Sequence, residues 1–302
     1  MLHVQLVEIT TIIRDGMLRL YHLTFLYLLM SITLKKIFRR NKNLVIGSLH
    51  FPPLLGFDDF PGFKQSLKMA LQDLKAYEEG GADGIFLENN YGLSAEKITT
   101  PQAVAMGYLI GEIRAQTKLP LGVSVLWNDY ETAFALAKTY QLQFIRVPVF
   151  VDTVQPYCGL ITGTPKDVQK VRTKLGAQDV AIYADIMVKH AKHISTHTLA
   201  TSAKKAIKAG ADAVIVTGGW TGDAPTAQTV SDLRQKIADF PILIGSGADV
   251  DNVADLLGSA DGVIVSTSLK GGAVDAKERN VKGFEQRVQK SKVTKFVNKV
   301  KT

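Results

Sequence analysis

The stretch PILIGSGADVDNVADLLGSADGVIVSTSLKGG, residues Pro241–Gly272, decides the fold. Pro241–Ile244 is a short apolar run that ends in Gly245-Ser246-Gly247. Val250, Val253, Ala254 and Leu257 then fall on one helical stripe. A second apolar run, Gly262–Val265, ends in Ser266-Thr267-Ser268 and continues to Lys270-Gly271-Gly272. Strand, small-residue turn, helix, strand and small-residue turn is the order of a βαβ unit. Two such turns beside helix N-termini aim unpaired main-chain N–H groups, and the positive end of the helix dipole, at one place. If these are the last two strands of a barrel, that place is a common phosphate site. Ser246, Gly247, Ser266 and Thr267 are the expected phosphate ligands; the plainer reading is that the glycines only make tight turns.

Outward from this stretch the same join recurs. GGADGIFLEN (Gly80–Asn89), AGADAVIVTG (Ala209–Gly218) and GSADGVIVST (Gly258–Thr267) each end a helix in small residues, turn at Ala-Asp and enter an apolar strand. From Asn43 onward strands and helices alternate: Leu44–His50, Gly84–Glu88, Pro120–Leu126, Phe144–Val147, Val180–Val188, Ala213–Thr217 and the two runs above are eight strands, each followed by a helical pattern. The last helix is expected over Lys282–Val297. Strands so continuously apolar must be covered on both faces, so the sheet is parallel. The pattern predicts a single-domain (β/α)8 TIM barrel over 43–302, in preference to an open doubly wound sheet.

Residues 1–42 stand outside this pattern as an apolar and basic extension. LRLYHLTFLYLLMSITL (Leu18–Leu34) has about the length of the shortest membrane span, but Arg19 and His22 interrupt it, and no small-residue cleavage site follows. It reads as a weak anchor, an interfacial helix, or a segment translated from a misplaced start, since Met30 opens a natural beginning for a cytosolic enzyme.

The formal charge is +8, and ten basic residues at the two ends (Lys35 to Lys42 and Lys290 to Lys301) equal or exceed it. The central body is near neutral, which excludes a nucleic-acid face on the domain itself. The basic ends suit solvent or an anionic membrane surface. The lone cysteine, Cys158, excludes a disulfide framework and fits a reducing, cytoplasmic setting.

Polar residues gather at the expected strand ends. They are His50, Glu88, Asn89, Asn128, Lys189, Thr217 and, in the loop beyond, Gly222. Arg146 and Asp185 sit inside apolar strands, as a core ion pair or as ligand contacts. Desolvating so many polar groups at one rim is costly, which points to a site. Glu88 and Asp185 could exchange protons, with Asn128 beside them. Lys189 could act as an electrophile or a Schiff-base nucleophile. His190, His193 and His197 have helical spacing for a metal, but Ser195 and Thr198 read as caps that start the helix after them, so no metal is assigned. No motif requires a cofactor.

With these residues in view, the chain resembles the BtpA/SgcQ family. The resemblance runs through IGSLHFPPLLG (Ile46–Gly56), DGIFLENNYG (Asp83–Gly92), VSVLWND (Val123–Asp129), FIRVPVF (Phe144–Phe150), ADIMVKHA (Ala184–Ala191), VIVTGGWTG (Val214–Gly222), ILIGSGADVDNV (Ile242–Val253) and ADGVIVSTSLK (Ala260–Lys270). It implies a barrel of the ribulose-phosphate-binding kind with the same phosphate pocket. The expected function is isomerase- or lyase-like chemistry on a small phosphorylated sugar- or nucleoside-like metabolite. The alternative implied by the family is a non-catalytic assembly factor for a membrane complex of the photosystem I type. Peripheral membrane contact and a homo-oligomer stay open on this reading.

Overall fold

A computed structural model describes residues 32–91, 95–218, 223–271 and 284–301. Eight parallel strands close into a barrel in chain order: β1 Leu44–His50, β2 Gly84–Glu88, β3 Leu121–Ser124, β4 Phe144–Val147, β5 Ala181–Met187, β6 Ala213–Val216, β7 Ile242–Ile244 and β8 Gly262–Val265. The ring shuts where Leu44 pairs with Gly262 and Val45 with Val263. Almost every strand residue is buried, because helices cover the outer face and side chains fill the inner one.

The helices are α1 Leu34–Phe38, α2 Phe63–Gly80, α3 Thr100–Gln116, α4 Tyr130–Thr139, α5 Pro165–Lys174, α6 Leu199–Lys208, α7 Ala227–Ile237, α8 Val253–Leu257 and α9 Lys290–Lys301. Pro101 enters α3 in its first turn, and Thr99 and Gln102 form a reciprocal capping box. Gly81 ends α2 in the left-handed conformation, where a side chain would strain.

The repeated Ala-Asp join has a structural reason. Asp83, Asp212 and Asp261 each accept a hydrogen bond from the first N–H groups of the preceding neighbour strand: Val45 N at 2.8 Å, Ile182 N at 2.9 Å and Ile242 N at 2.8 Å. Each aspartate also meets an arginine, Arg40 at 3.5 Å, Arg172 at 3.5 Å and Arg234 at 2.6 Å. The joins therefore pin strand register at the N-terminal face. Inside that face Phe86, Phe144 and Tyr183 pack ring on ring, with Phe144 and Tyr183 stacked at 5.0 Å. Gly122 faces Phe144 so closely that a Cβ there would lie 1.9 Å from the ring.

Three elements differ from the sequence pattern. The compact barrel unit starts at Leu34, inside the basic extension. Leu34 and Phe38 are buried, and Phe38 reaches 5.5 Å from Phe144. The helix after β7 shrinks to Val253–Leu257, because Asp249 accepts from Asp251 N and Asn252 N and holds the preceding residues in a turn. The last helix starts at Lys290, because Arg287-Val288 pairs as a strand with Lys270-Gly271 and is tied to buried Asp73. The loop after β4 supplies Thr153–Gln155 and Ile161–Thr162, and the loop after β5 supplies Lys192–His193, to a small antiparallel sheet. The expected Gly222, the apolar segment before Ile32 and the first residues of the expected last helix lie outside the described residues.

Candidate functional site at the C-terminal mouth

Along each strand alternate residues face inward. One step above Phe86, Phe144 and Tyr183 this places Glu88, Arg146 and Asp185 on the inner face. Arg146 makes a bidentate pair with Asp185, Nε to Oδ1 and Nη2 to Oδ2, both at 2.8 Å. Its Nη1 donates to Glu88 Oε1 at 3.2 Å. Glu88 Oε2 accepts from Ser48 Oγ at 3.2 Å and lies 3.4 Å from His50 Nε2. Four strands, β1, β2, β4 and β5, thus share one largely buried polar network.

The network decides which groups carry protons. Burial would raise the Glu88 pKa, but the His50 hydrogen bond and the Arg146 charge outweigh it and hold the carboxyl at about 2. Burial, together with the nearby Lys270 charge, lowers His50 to about 4, so the ring is neutral at pH 7. Its contacts then place the ring proton on Nε2, facing Glu88, and leave Nδ1 to accept from Asn90 at 3.5 Å. Burial works against the Arg146 charge, and Asp185 and Glu88 more than restore it. Lys189 is lowered by burial and by the Arg146 charge. Burial lowers Lys270 to about 8.

A cavity of about 350 Å³ opens above the network. One side carries His50, Glu88, Arg146 and Lys189; another carries Gly245–Asp249 and Ile264–Ser268. The main-chain N–H groups of Ser246, Gly247 and Ala248 donate to no protein acceptor among the described residues. Gly247 has φ 75°, and a Cβ there would lie 2.1 Å from Ala224 N, so only glycine fits. The Ser246 hydroxyl is engaged: it accepts from Gly218 N at 3.3 Å and donates to Asp223 O at 3.1 Å. Ser266 and Thr267 also line the cavity, with Thr267–Leu269 wound into a short 3₁₀ turn.

The cavity brings together His50, Glu88, Arg146, Lys189, Ser246, Gly247, Ser266 and Thr267. The other expected residues do different work. Asn128 Nδ2 donates to Val149 O, and its Oδ1 accepts from Val149 N. Asn89 makes the same double bond with Leu126. Both amides therefore lock neighbouring loops and do not line the cavity. Asp185 sits behind Arg146, and the Thr217 hydroxyl donates to Met187 O. His190, His193 and His197 share no helix, and α6 begins only after the Thr198 cap. Among the described residues no cluster of His, Cys, Asp and Glu is placed to hold a metal.

Two cavity cations escape the sequence reading. Lys270 lies in a turn read for its small residues, and Lys292 belongs to a tail read as solvated. Lys292 Nζ donates to Lys270 O at 2.7 Å, which fixes it at the rim. The contact joins positions 22 apart, and no periodicity announces it.

A closed parallel ring with a polar cavity at its strand C-termini defines the (β/α)8 barrel class. N-(5′-phosphoribosyl)anthranilate isomerase from Pyrococcus furiosus shares the fold, with TM-score 0.51 at 16% identity over 85% of this chain and 98% of that one. Within this class the chain belongs to the BtpA family, whose model matches residues 41–302. The photosystem I biogenesis protein BtpA of Synechocystis is 36% identical over 232 residues, 76% of this chain and 80% of that protein. An uncharacterised protein of Archaeoglobus fulgidus is 36% identical over 236 residues, 77% of this chain and 94% of that protein.

Proposed function

We propose that this chain is an enzyme of isomerase or lyase type acting on a small phosphorylated, sugar- or nucleoside-like ligand. One observation carries the reading: both small-residue turns and the Glu88–Arg146–Lys189 group line the same cavity. Four basic residues (Arg146, Lys189, Lys270, Lys292) against two acids (Glu88, Asp249) favour an anion there. The free N–H groups of Ser246, Gly247 and Ala248 would hold the phosphate, with Ser266 and Thr267 in the adjoining turn. Glu88, ionised at neutral pH, would orient a ligand hydroxyl and would not donate a proton. Proton transfer falls to the lysines, of which Lys270 titrates near neutrality.

A thermal-shift screen of phosphorylated metabolites tests this. A ligand at about 100 times its Kd adds about 2.7 kcal/mol, or several degrees in Tm. Ser246→Asp should abolish the shift by placing a carboxylate at the anion site. If no phosphorylated compound raises Tm, the reading falls.

The second reading, a non-catalytic assembly factor for a membrane complex, is favoured by the photosystem I biogenesis role for which the Synechocystis relative is named. Among the described residues no helix is long and apolar enough to cross a membrane. Co-sedimentation of the full chain with membranes, lost on deletion of residues 1–33, would support it. That deletion spares Leu34 and Phe38.

A further inference from the structure

We propose that Lys189 forms an imine with the carbonyl carbon of the ligand, which makes the substrate class a phosphorylated aldehyde or ketone. This rests on the phosphate-site reading above and adds the reacting group to it. Lys189 lies just beyond the end of β5, is half-buried and lines the cavity. The carboxylates that could pair with it are taken: Asp185 holds two Arg146 nitrogens, and Glu88 holds the third together with Ser48 and His50. Among the described residues its amine makes no hydrogen bond or close ion pair; burial and the guanidinium of Arg146 disfavour its charge, and the more distant Glu88 and Asp185 act the other way.

The other cavity lysines are placed differently. Lys292 is anchored on the Lys270 carbonyl at 2.7 Å. Lys270 feels the Asp73 carboxylate and the Arg287 charge first and Glu88 after them, and it does not feel Arg146 as Lys189 does. Desolvation at a cavity wall beside a guanidinium shifts such an amine toward its neutral, nucleophilic form.

The step balances within the site. The neutral Lys189 nitrogen adds to the carbonyl carbon; the carbonyl oxygen leaves as water, taking one amine proton and one proton from the protonated Lys270 amine that lines the same cavity, so the imine nitrogen keeps its second proton. The protonated imine then draws electrons from an adjacent C–H or C–C bond, the common step of isomerase and lyase chemistry. Ionised Glu88, lining the same cavity, favours that cation.

Pyridoxal 5′-phosphate, an aldehyde carrying a phosphate, is the probe. The full chain is mixed with less than one equivalent, reduced with sodium borohydride and mapped by peptide mass spectrometry. The expected label is on Lys189, falls as inorganic phosphate is added, and is lost in Lys189→Arg. Label on Lys270, Lys292 or surface lysines with Lys189 spared overturns the proposal. If phosphate still raises Tm in that case, the phosphate reading survives it. Label on Lys189 that phosphate does not diminish separates the amine from any phosphate pocket and overturns the substrate class.

Discussion

Replacing Glu88 by glutamine keeps the shape of the side chain and removes its charge. The carboxyl is buried, and its pKa falls from 4.5 to about 2. At about 1.4 kcal/mol per pKa unit, this corresponds to about 3 kcal/mol of stability when the group is ionised. The folded pKa lies below the unfolded one, so the stabilisation is full above about pH 4.5 and is lost as pH falls toward 2. Glu88→Gln should therefore be about 3 kcal/mol less stable than wild type at pH 7, and the gap should narrow to about 1 kcal/mol at pH 3. Urea unfolding followed by far-ultraviolet circular dichroism at several pH values measures it. A gap of constant size from pH 7 to pH 3 would refute the reasoning, because it would tie the loss to packing and not to the charge held by Arg146.

Lys270→Met has the opposite sign. Burial lowers the Lys270 pKa from 10.5 to about 8. The charged amine therefore costs the fold up to about 3 kcal/mol below that value, a cost that vanishes as pH rises toward 10.5. The variant should unfold at higher urea concentration at pH 7 and lose that advantage near pH 10. At the other end of the barrel, Asp261→Ala removes the acceptor for Ile242 N and the partner of Arg234. It should cost about 3 kcal/mol in urea unfolding while leaving any ligand-induced Tm shift unchanged.

The ring was legible in the sequence because its signals are local. A helix ending in glycine, an Ala-Asp turn and an apolar strand announce each unit, and Asp83, Asp212 and Asp261 make the same two kinds of contact in three places. Much of the mouth was legible too, because inward positions on a strand follow a period of two from any one of them. That rule carried Glu88 and Arg146 to the cavity. It could not tell a side chain facing a cavity from one that ties down a loop, and Asn89 and Asn128 are of the second kind. Lys270 and Lys292 were hidden for another reason. Their positions depend on Arg287-Val288 pairing with Lys270-Gly271, a contact between the barrel rim and the C-terminal tail. Leu34 and Phe38 were missed likewise, since two apolar residues among five basic ones carry no period.

The two ends of the barrel use aspartate and arginine to different effect. At the N-terminal face each aspartate holds a main-chain N–H, so its arginine orients an acid that the backbone already needs. At the mouth, the hydrogen bonds of Glu88 and Asp185 are to side chains alone: Arg146, Ser48 and His50. A buried ionic cluster of that kind has no net stability advantage over apolar residues of equal volume, and breaking it from one side is expensive. Strand register is set elsewhere, by Asp83, Asp212 and Asp261. The mouth network therefore adds little that the fold requires. What it does supply is position: it fixes a guanidinium and a carboxylate rigidly at the edge of a cavity that Lys189 also lines. Such an arrangement is costly in an empty barrel and becomes favourable when an anion enters.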